Sequence, residues 1–307
     1  MFISSLRQTR AIALFAVILS FCPQKAFSTT DSLRYITPQE KDQGQFLWYG
    51  HSPKGYPRRI PAITTTRTGM IVAVADERPC GSDIGFGEVD LLSRYSTDGG
   101  MTWSSPVCIA DGDDGVKDYP FFGKGFGDAA LVSDRESDEL LIMCVSGCIP
   151  YPYADAEKQP CIARLRSHDG GFTWDKPQDV TSMFWGKTGQ SIFSPADSSV
   201  VPYAGFFGSG RILQSRLVKK GRYYRLYAAL LCRGAAMQGA YVVYSDDFGE
   251  TWHALGGDVR IQACPGSDEP KVEELPGGDI LLSGRKRYGR WFNVWHYTSD
   301  DFSQGEW

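Results

Sequence analysis

The sequence predicts an all-β protein arranged as a β-propeller, from three observations: the aromatic content, the glycine content and an internal repeat. Of 307 residues, 42% are hydrophobic and 13% aromatic, which is enough apolar material for a large core. Aromatic side chains favour strands, and the 34 glycines favour tight turns between them. This composition excludes a disordered or collagen-like chain, and the length excludes a small disulfide scaffold.

The internal repeat is a turn motif with the pattern S-x-D-x-G-x-T-W, which we call the Asp box. Copies begin at Ser96, Ser167 and Ser245, and a degraded fourth copy runs from Ser299 to Trp307. Ser and Asp side chains bond to nearby backbone and Gly supplies a positive φ, so each copy predicts a hairpin turn. The starts are 71, 78 and 54 residues apart, about one four-stranded blade or slightly more per copy. Each copy follows a β-rich segment: Leu91–Tyr95, Ile162–Arg166 and Ala240–Tyr244.

Residues 1–28 have the pattern of a secretory signal peptide. Arg7 and Arg10 precede an apolar stretch from Ala11 to Phe21, and a small-x-small cleavage site follows at residues 26–28. The apolar stretch is about half as long as a membrane-spanning helix, so a permanent anchor is the weaker alternative. We therefore expect an exported protein that is periplasmic, secreted or at the cell surface.

After the signal, residues 29–50 are expected to be an N-terminal leader and residues 51–307 the propeller. Acidic residues outnumber basic ones by 36 to 32, giving a formal net charge of -4. A nucleic-acid partner and a polybasic membrane-surface protein are therefore not expected. The sequence leaves the oligomeric state open.

Seven cysteines follow the signal, and an odd number means that at least one thiol is free or pairs outside the chain. Pairing is plausible in an exported protein. Metal binding is the alternative for Cys144 and Cys148, but their spacing is not that of a CxxC motif, and burial or pairing fits better.

Three motifs lie outside the Asp boxes. Residues 56–62 read Y-P-R-R-I-P-A, residues 76–83 read D-E-R-P-C-G-S-D, and residues 268–278 read D-E-P-K-V-E-E-L-P-G-G, followed by L-L-S-G-R at 281–285. In this order, and with the boxes, they resemble the sialidases (neuraminidases) of bacterial type. These are exported exo-glycosidases that remove terminal sialic acids. The resemblance runs from about Tyr56 to the C-terminus and implies a six-bladed sialidase β-propeller.

The resemblance assigns Arg59 and Arg285 to a triad of arginines that binds the carboxylate of sialic acid. A planar guanidinium matches a carboxylate better than a Lys ammonium does. For Arg59 taken alone, an ordinary surface arginine is the alternative.

By the same resemblance, Asp83 is the acid/base, which protonates the departing glycosidic oxygen and then activates water. Asp76 and Asp90 are its rivals, although Asp76 better suits a structural role at a strand end beside Arg78. Arg78 and Asp128 resemble residues that bind the sugar, and a plain salt bridge at a strand end is the alternative for both.

Glu269 matches the glutamate that deprotonates a tyrosine nucleophile, whereas Glu273 and Glu274 are expected to face solvent. A neutral tyrosine suits this reaction because a carboxylate nucleophile would be repelled by the carboxylate at the anomeric carbon. The resemblance implies that no metal or organic cofactor is required, and that the partners are sialylated glycans.

The third triad arginine and the tyrosine are expected well beyond Arg285, and the chain ends 22 residues after it, so a truncated propeller is expected. Neither Tyr288 nor Tyr297 has a matching context, and neither is assigned as nucleophile. The preferred function is a retaining exo-α-sialidase acting on glycoproteins, glycolipids and oligosaccharides, with trans-sialidase as a sub-case. The alternatives are a sialic-acid-binding propeller without catalysis and an unrelated propeller with Asp boxes. A polar loop, residues 151–159, is a candidate border of the pocket.

Overall fold

The computed structural model describes most of the chain between Leu47 and Glu306, and residues 1–28, where the signal peptide is predicted, lie outside the described part. The described residues are 47–48, 50–112, 122–185, 202–235, 238–256, 264–286, 292–297 and 305–306. Apart from two short 3-10 helices, Tyr151–Tyr153 and Thr181–Met183, their regular structure is entirely β. The all-β prediction is confirmed. No helix in these ranges is long and apolar enough to cross a bilayer.

The strands, numbered in chain order, are β1 Arg58–Thr65, β2 Ile71–Glu77, β3 Asp90–Ser96, β4 Val107–Ala110, β5 Phe126–Ser133, β6 Leu140–Ser146, β7 Cys161–Ser167, β8 Gln178–Asp179, β9 Pro202–Phe207, β10 Gly210–Arg211, β11 Leu213–Lys220, β12 Tyr223–Gly234, β13 Gln238–Ser245, β14 His253–Ala254, β15 Cys264–Pro265, β16 Ser267–Glu274, β17 Ile280–Lys286, β18 Phe292–Tyr297 and β19 Gly305–Glu306.

These strands form four blade-like sheets, each an antiparallel meander. The orders are β1-β2-β3-β4, then β5-β6-β7-β8, then β11-β12-β13-β14, then β16-β17-β18-β19. The parallel strand β10 extends the second sheet beside β5, while β9 and β15 pair with strands of the third. Consecutive four-stranded sheets are the arrangement predicted for a propeller.

The three intact Asp boxes connect the third and fourth strands of the first three sheets, and they share one hydrogen-bond pattern. In the first, the Asp98 carboxylate accepts from the Thr102 N–H at 2.9 Å and the Thr102 hydroxyl at 2.6 Å. The Gly100 N–H donates to Ser96 Oγ at 2.8 Å. The boxes at Ser167 and Ser245 repeat these contacts. The predicted turn is confirmed, and most of the fourth box lies outside the described residues.

A close contact explains the glycine at the fifth position of the second and third boxes. A Cβ on Gly171 would lie 2.8 Å from Val72 of the preceding sheet, and one on Gly249 would lie 2.5 Å from Leu141. Both glycines also have positive φ, 102° and 85°. Each of these two boxes therefore seats its own blade against the one before it.

The hydrophobic core lies between neighbouring sheets, in three layers. One layer joins the first and second sheets around Val72 and Ile142, the next joins the second and third around Leu141 and Tyr241, and the last joins the third and fourth around Tyr227. The blades thus pack face to face, with β1 close to β5 and β11 close to β16.

Candidate active site

One cavity of about 280 Å³ is lined by every residue that the sequence motifs singled out for the site. They come from three of the four sheets: one lies on β1, two on the segment that follows β2, one on β5, and one each on β16 and β17. The six are Arg59, Arg78, Asp83, Asp128, Glu269 and Arg285. Residues separated by more than two hundred positions are therefore brought together.

A backbone irregularity places a side chain at the cavity in three of the first strands. The ladder is interrupted between Arg59 and Ala62, between Gly127 and Ala130, and between Asp268 and Lys271. At each interruption one residue has a positive φ: Ile60 at 52°, Asp128 at 57° and Glu269 at 44°. Positive φ is uncommon for residues other than glycine, and bulges re-aim side chains near functional sites.

Arg78 organises the acidic side of the cavity from a fully buried position. Its Nη2 donates to Asp76 at 2.7 Å and to Asp128 at 3.2 Å, and its Nη1 donates to Asp83 at 2.5 Å. Both Arg78 and Asp76 have side chains at most 1% exposed. Asp76 was expected to have a structural role at a strand end beside Arg78, and its contact with Arg78 is consistent with that role. Arg78 itself forms the salt bridge that was the alternative to sugar binding.

Burial is the largest influence on the pKa values of Asp76, Asp128 and Arg78. It raises the pKa of Asp76 to about 8, with the charge of Asp128 acting in the same direction. Burial likewise raises the pKa of Asp128, outweighing the opposing charge of Arg78. For Arg78, burial lowers the pKa, but Asp76, Asp128 and Asp83 together outweigh it and the pKa is raised. Two carboxylates thus share one buried guanidinium, which favours keeping a proton on the pair.

Asp83 is the accessible carboxylate among the three candidates for the acid. Its side chain is 67% exposed, and its Oδ1 also accepts from Arg59 Nη1 at 2.9 Å. Asp76 is fully buried and so is out of reach of a glycosidic oxygen. Asp90 lies on β3, accepts from the Gly112 N–H, and is not part of the cavity lining.

The loop carrying Asp83 is held in place by a close packing contact. A Cβ on Gly85 would lie 2.3 Å from the Pro150 nitrogen, and Gly85 has a φ of 97°. Next to it, Ile84 is buried against Val89 and Val145. Gly85 is therefore required both by its backbone conformation and by the neighbouring chain.

On the opposite side, Arg285 links the two acidic residues at the bulge of β16. Its Nη2 donates to Asp268 at 3.0 Å, and its Nη1 lies 3.2 Å from Glu269 Oε2. Nearby, Lys271 donates to the backbone oxygen of Ser209. Burial lowers the pKa of Lys271, with Glu269 and Asp128 acting against that change.

Beyond the six motif residues, the cavity has an apolar wall that the motifs did not reveal. Tyr151 and Phe206 pack edge to face with ring centroids 5.3 Å apart. The wall also contains Ile84, Phe86, Val145, Ile149, Pro150, Pro152 and Pro160. The polar loop at residues 151–159 contributes Tyr151 and Pro152 to the wall. In the sequence, the other wall residues are marked only by a local richness in proline and aromatic residues.

The two glutamates at the end of β16, Glu273 and Glu274, differ in exposure. Glu274 was expected to face solvent, and this is wrong: it is 1% exposed and accepts from the Ser215 hydroxyl at 2.5 Å and from the Arg216 N–H. A carboxylate with such partners stabilises the join between the third and fourth sheets. Glu273 is half exposed and pairs with Arg211.

Of the cysteines, Cys80, Cys108, Cys144, Cys161 and Cys232 carry free thiols. Burial raises the pKa of both Cys144 and Cys232 well above the usual value. These two are buried hydrophobic residues of the core, as the burial alternative anticipated for Cys144.

Outside the cavity, Glu88, Asp90 and Asp111 place carboxylate oxygens within 4.8 Å of one another. Burial, with Glu88 and Asp111 nearby, raises the pKa of Asp90 to about 6. Such exposed acidic groups are common without an ion. Within the cavity, the described carboxylates are instead paired with guanidinium groups.

The fold is that of a β-propeller with a charged cavity, and comparison with known proteins shows which of them it is similar to. The chain is 32% identical over 245 residues to a sialidase of Micromonospora viridifaciens, covering 76% of this chain and 33% of that protein. A sialidase of Bacteroides fragilis is 23% identical over 242 residues, covering 75% of this chain and 40% of that protein. The chain thus spans well under half the length of either relative. No protein-family model matches it.

The fold is also similar to that of sialidases whose structures have been solved. The Hadza microbial sialidase Hz136 superposes with a TM-score of 0.62 at 24% identity, over 81% of this chain and 45% of that one. The chain is therefore related to bacterial-type sialidases and shares the sialidase propeller fold. This confirms the resemblance that the motifs indicated.

Proposed function

We propose that this chain belongs to an exported exo-α-sialidase that hydrolyses terminal sialic acids from glycoproteins, glycolipids and oligosaccharides. The observation that carries the proposal is the convergence of Arg59, Asp83, Glu269 and Arg285 on one cavity. The named sialidase relatives support it. Export rests on the signal-peptide pattern of residues 1–28.

The cavity suits an acidic sugar because two of its arginines are accessible and one of its walls is apolar. Arg59 and Arg285 are each about half exposed and so are accessible to a ligand carboxylate. Both currently face protein carboxylates, which a ligand carboxylate would replace as partner. The part of the apolar wall formed by Tyr151 and Phe206 contacts the less polar parts of sialic acid.

Asp83 acts as the acid/base in this proposal. It is an exposed carboxylate at the cavity, and it is held by Arg78 and Arg59. When the ligand carboxylate takes over Arg59, Asp83 is no longer bound to that guanidinium and keeps only its contact with Arg78. Protonation of the glycosidic oxygen by Asp83, and later activation of water, then give hydrolysis.

Glu269 is the proposed partner of a tyrosine nucleophile, which would give retention through a tyrosyl-enzyme intermediate. The tyrosine itself is assigned to no residue of this sequence. Tyr288 lies outside the described residues, and Tyr297 lies on β18, with neither in the expected sequence context. The second candidate, which the sequence analysis left open, is a propeller that binds sialic acid without catalysis.

Hydrolysis of two sialosides separates these candidates. We expect Asp83→Ala to slow hydrolysis of a natural sialoside by about 10²- to 10⁴-fold. It should have much less effect on a fluorogenic sialoside, whose leaving group hardly needs protonation. Asp138→Ala is a matched control, because Asp138 is also exposed and paired with an exposed arginine.

Equal losses on both substrates would remove the acid role of Asp83. Folded wild-type protein that binds sialosides without any turnover would establish the second candidate instead. Folded protein that neither binds nor hydrolyses sialosides would contradict both.

A further inference from the structure

We propose that Phe86 and Tyr153 form an aromatic platform for the neutral sugar to which sialic acid is attached. The inference rests on the proposed function and extends it to the part of the substrate that leaves. The platform, meaning these two side chains, stands at the mouth of the cavity on the side of Asp83.

Both rings are unusually accessible for their size. Phe86 is 52% exposed and Tyr153 is 68% exposed. Their centroids are 6.1 Å apart and their planes are inclined at 81°, so together they form an open aromatic corner. Exposed apolar groups that adjoin a pocket mark binding surfaces.

The size of the cavity requires the rest of the substrate to lie outside it. Pockets for drug-sized ligands span about 300–1,000 Å³. At about 280 Å³, this cavity has room for one monosaccharide. A glycan that enters by its terminal sialic acid must therefore place its next sugar at the rim.

The position of Asp83 decides which part of the rim that sugar meets. The acid must contact the glycosidic oxygen, so the next sugar lies beyond Asp83 as seen from the cavity. Phe86 is three residues further along the same loop, and its N–H donates to the Asp83 carbonyl at 3.3 Å. Phe86 also lines the cavity.

Tyr153 is fixed relative to Phe86 by the packing of two loops. The Tyr153 N–H donates to the Pro150 carbonyl at 2.9 Å, and Pro150 is the residue against which Gly85 packs. The two rings are thus carried by neighbouring, mutually seated chain segments. They are available before any ligand arrives, which limits the entropy lost on binding.

The chemistry of this surface fits a neutral hexose. The C–H face of a pyranose is apolar and packs on aromatic rings, while the Tyr153 hydroxyl can bond to a sugar hydroxyl. The two rings carry no charge, so they offer no ion pair to a second acidic sugar. The expected occupant is therefore the neutral sugar next to the terminal sialic acid.

The test compares the affinities of the full chain for methyl α-sialoside and for sialyllactose, measured by titration calorimetry. We expect sialyllactose to bind more tightly. Phe86→Ala and Tyr153→Ala should each weaken sialyllactose binding by about three- to tenfold and leave methyl sialoside within twofold. Tyr153→Phe keeps the ring and should retain most of the difference.

Phe172→Ala is the matched control, because Phe172 is also 52% exposed but belongs to the second Asp box. Thermal unfolding of each variant checks the fold. Equal wild-type affinities for the two ligands, or variants that weaken both ligands alike, would overturn the platform and leave the proposed function standing. Folded wild-type protein that binds neither ligand would overturn the proposed function, and the platform with it.

Discussion

Arg59 Nη1 donates to Asp83 Oδ1 at 2.9 Å, so the predicted carboxylate-binding residue is paired with the predicted acid. Asp83 thus stands where a ligand carboxylate would compete for Arg59. Both side chains are more than half exposed, so the pair is open to exchange. An exposed pair of this kind contributes little energy, about 0–1 kcal/mol, and a ligand can displace it.

This relationship predicts the effect of Asp83→Asn on binding. Removing the charge frees Arg59, so we expect free sialic acid to bind with equal affinity or up to about fivefold more tightly. Calorimetry with wild-type and variant protein measures this. A tenfold loss of affinity would mean that Asp83 supports binding directly and would contradict the competition described here.

Gly85→Ala is expected to displace the loop that carries Asp83. The added methyl would meet the Pro150 backbone at 2.3 Å in a conformation with positive φ. We expect a loss of about 2–4 kcal/mol in the free energy of unfolding, measured by urea denaturation, together with a lower rate on natural sialosides.

Gly81→Ala is the control for backbone strain in the same loop. Gly81 also has a positive φ, 69°, but a Cβ there would meet nothing within 4 Å. Gly81→Ala should lower the free energy of unfolding by about 1 kcal/mol. Equal losses for the two variants would mean that the contact with Pro150 does not position the loop.

The presence of five of the six residues at the cavity was predictable because a local pattern marks each: R-I-P contains Arg59, D-x-R-P contains Arg78 and shortly precedes Asp83, and D-E with its following G-R contains Glu269 and Arg285. Asp128 lies outside these three motifs. The Asp boxes were also predictable from a local pattern. Their bonds join residues at most four apart, such as Asp98 and Thr102.

The apolar wall and the burial of Glu274 were not predictable, because both depend on contacts between distant segments. Tyr151 meets Phe206 across two sheets, and Glu274 is buried by Ser215, 59 residues away. Local polarity placed Glu274 at the surface. The bulges at Ile60, Asp128 and Glu269 also have no local signature, since none of them is a glycine.

The buried carboxylate Asp76 predicts a dependence of stability on pH. Its pKa is raised to about 8, so the folded state binds its proton more tightly than the unfolded state does. The resulting contribution to stability is fully present below about pH 4 and is lost as the pH rises to about 8.

Asp76→Asn should remove much of this decline, because an amide resembles the protonated acid. The measurement is the free energy of unfolding at several values of pH between 4 and 8. The difference between wild type and variant isolates Asp76 from other groups, such as Asp90, whose pKa is also raised. A difference that does not change with pH would mean that Asp76 stays ionised beside Arg78.

Each Asp box is expected to stabilise its blade without taking part in binding. Hydrogen bonds from Thr173 and Ser167 hold the pKa of Asp169 below its usual value, against the effect of burial. We expect Asp169→Ala to cost about 1–2 kcal/mol of stability at pH 7 and to leave sialoside affinity unchanged. The wild-type advantage should shrink as the pH falls below about 4. A folded Asp169→Ala variant with lost affinity would give the box a role in the site.

The central claim is that Arg59 and Arg285 bind the carboxylate of sialic acid, and the most direct measurement compares sialic acid with its methyl ester. The two ligands differ in charge at that group. We predict that the wild-type protein binds the acid at least about tenfold more tightly than the ester, and that Arg59→Ala and Arg285→Ala abolish this preference while Arg67→Ala keeps it. Equal affinities for the acid and the ester in the folded wild-type protein would contradict the account.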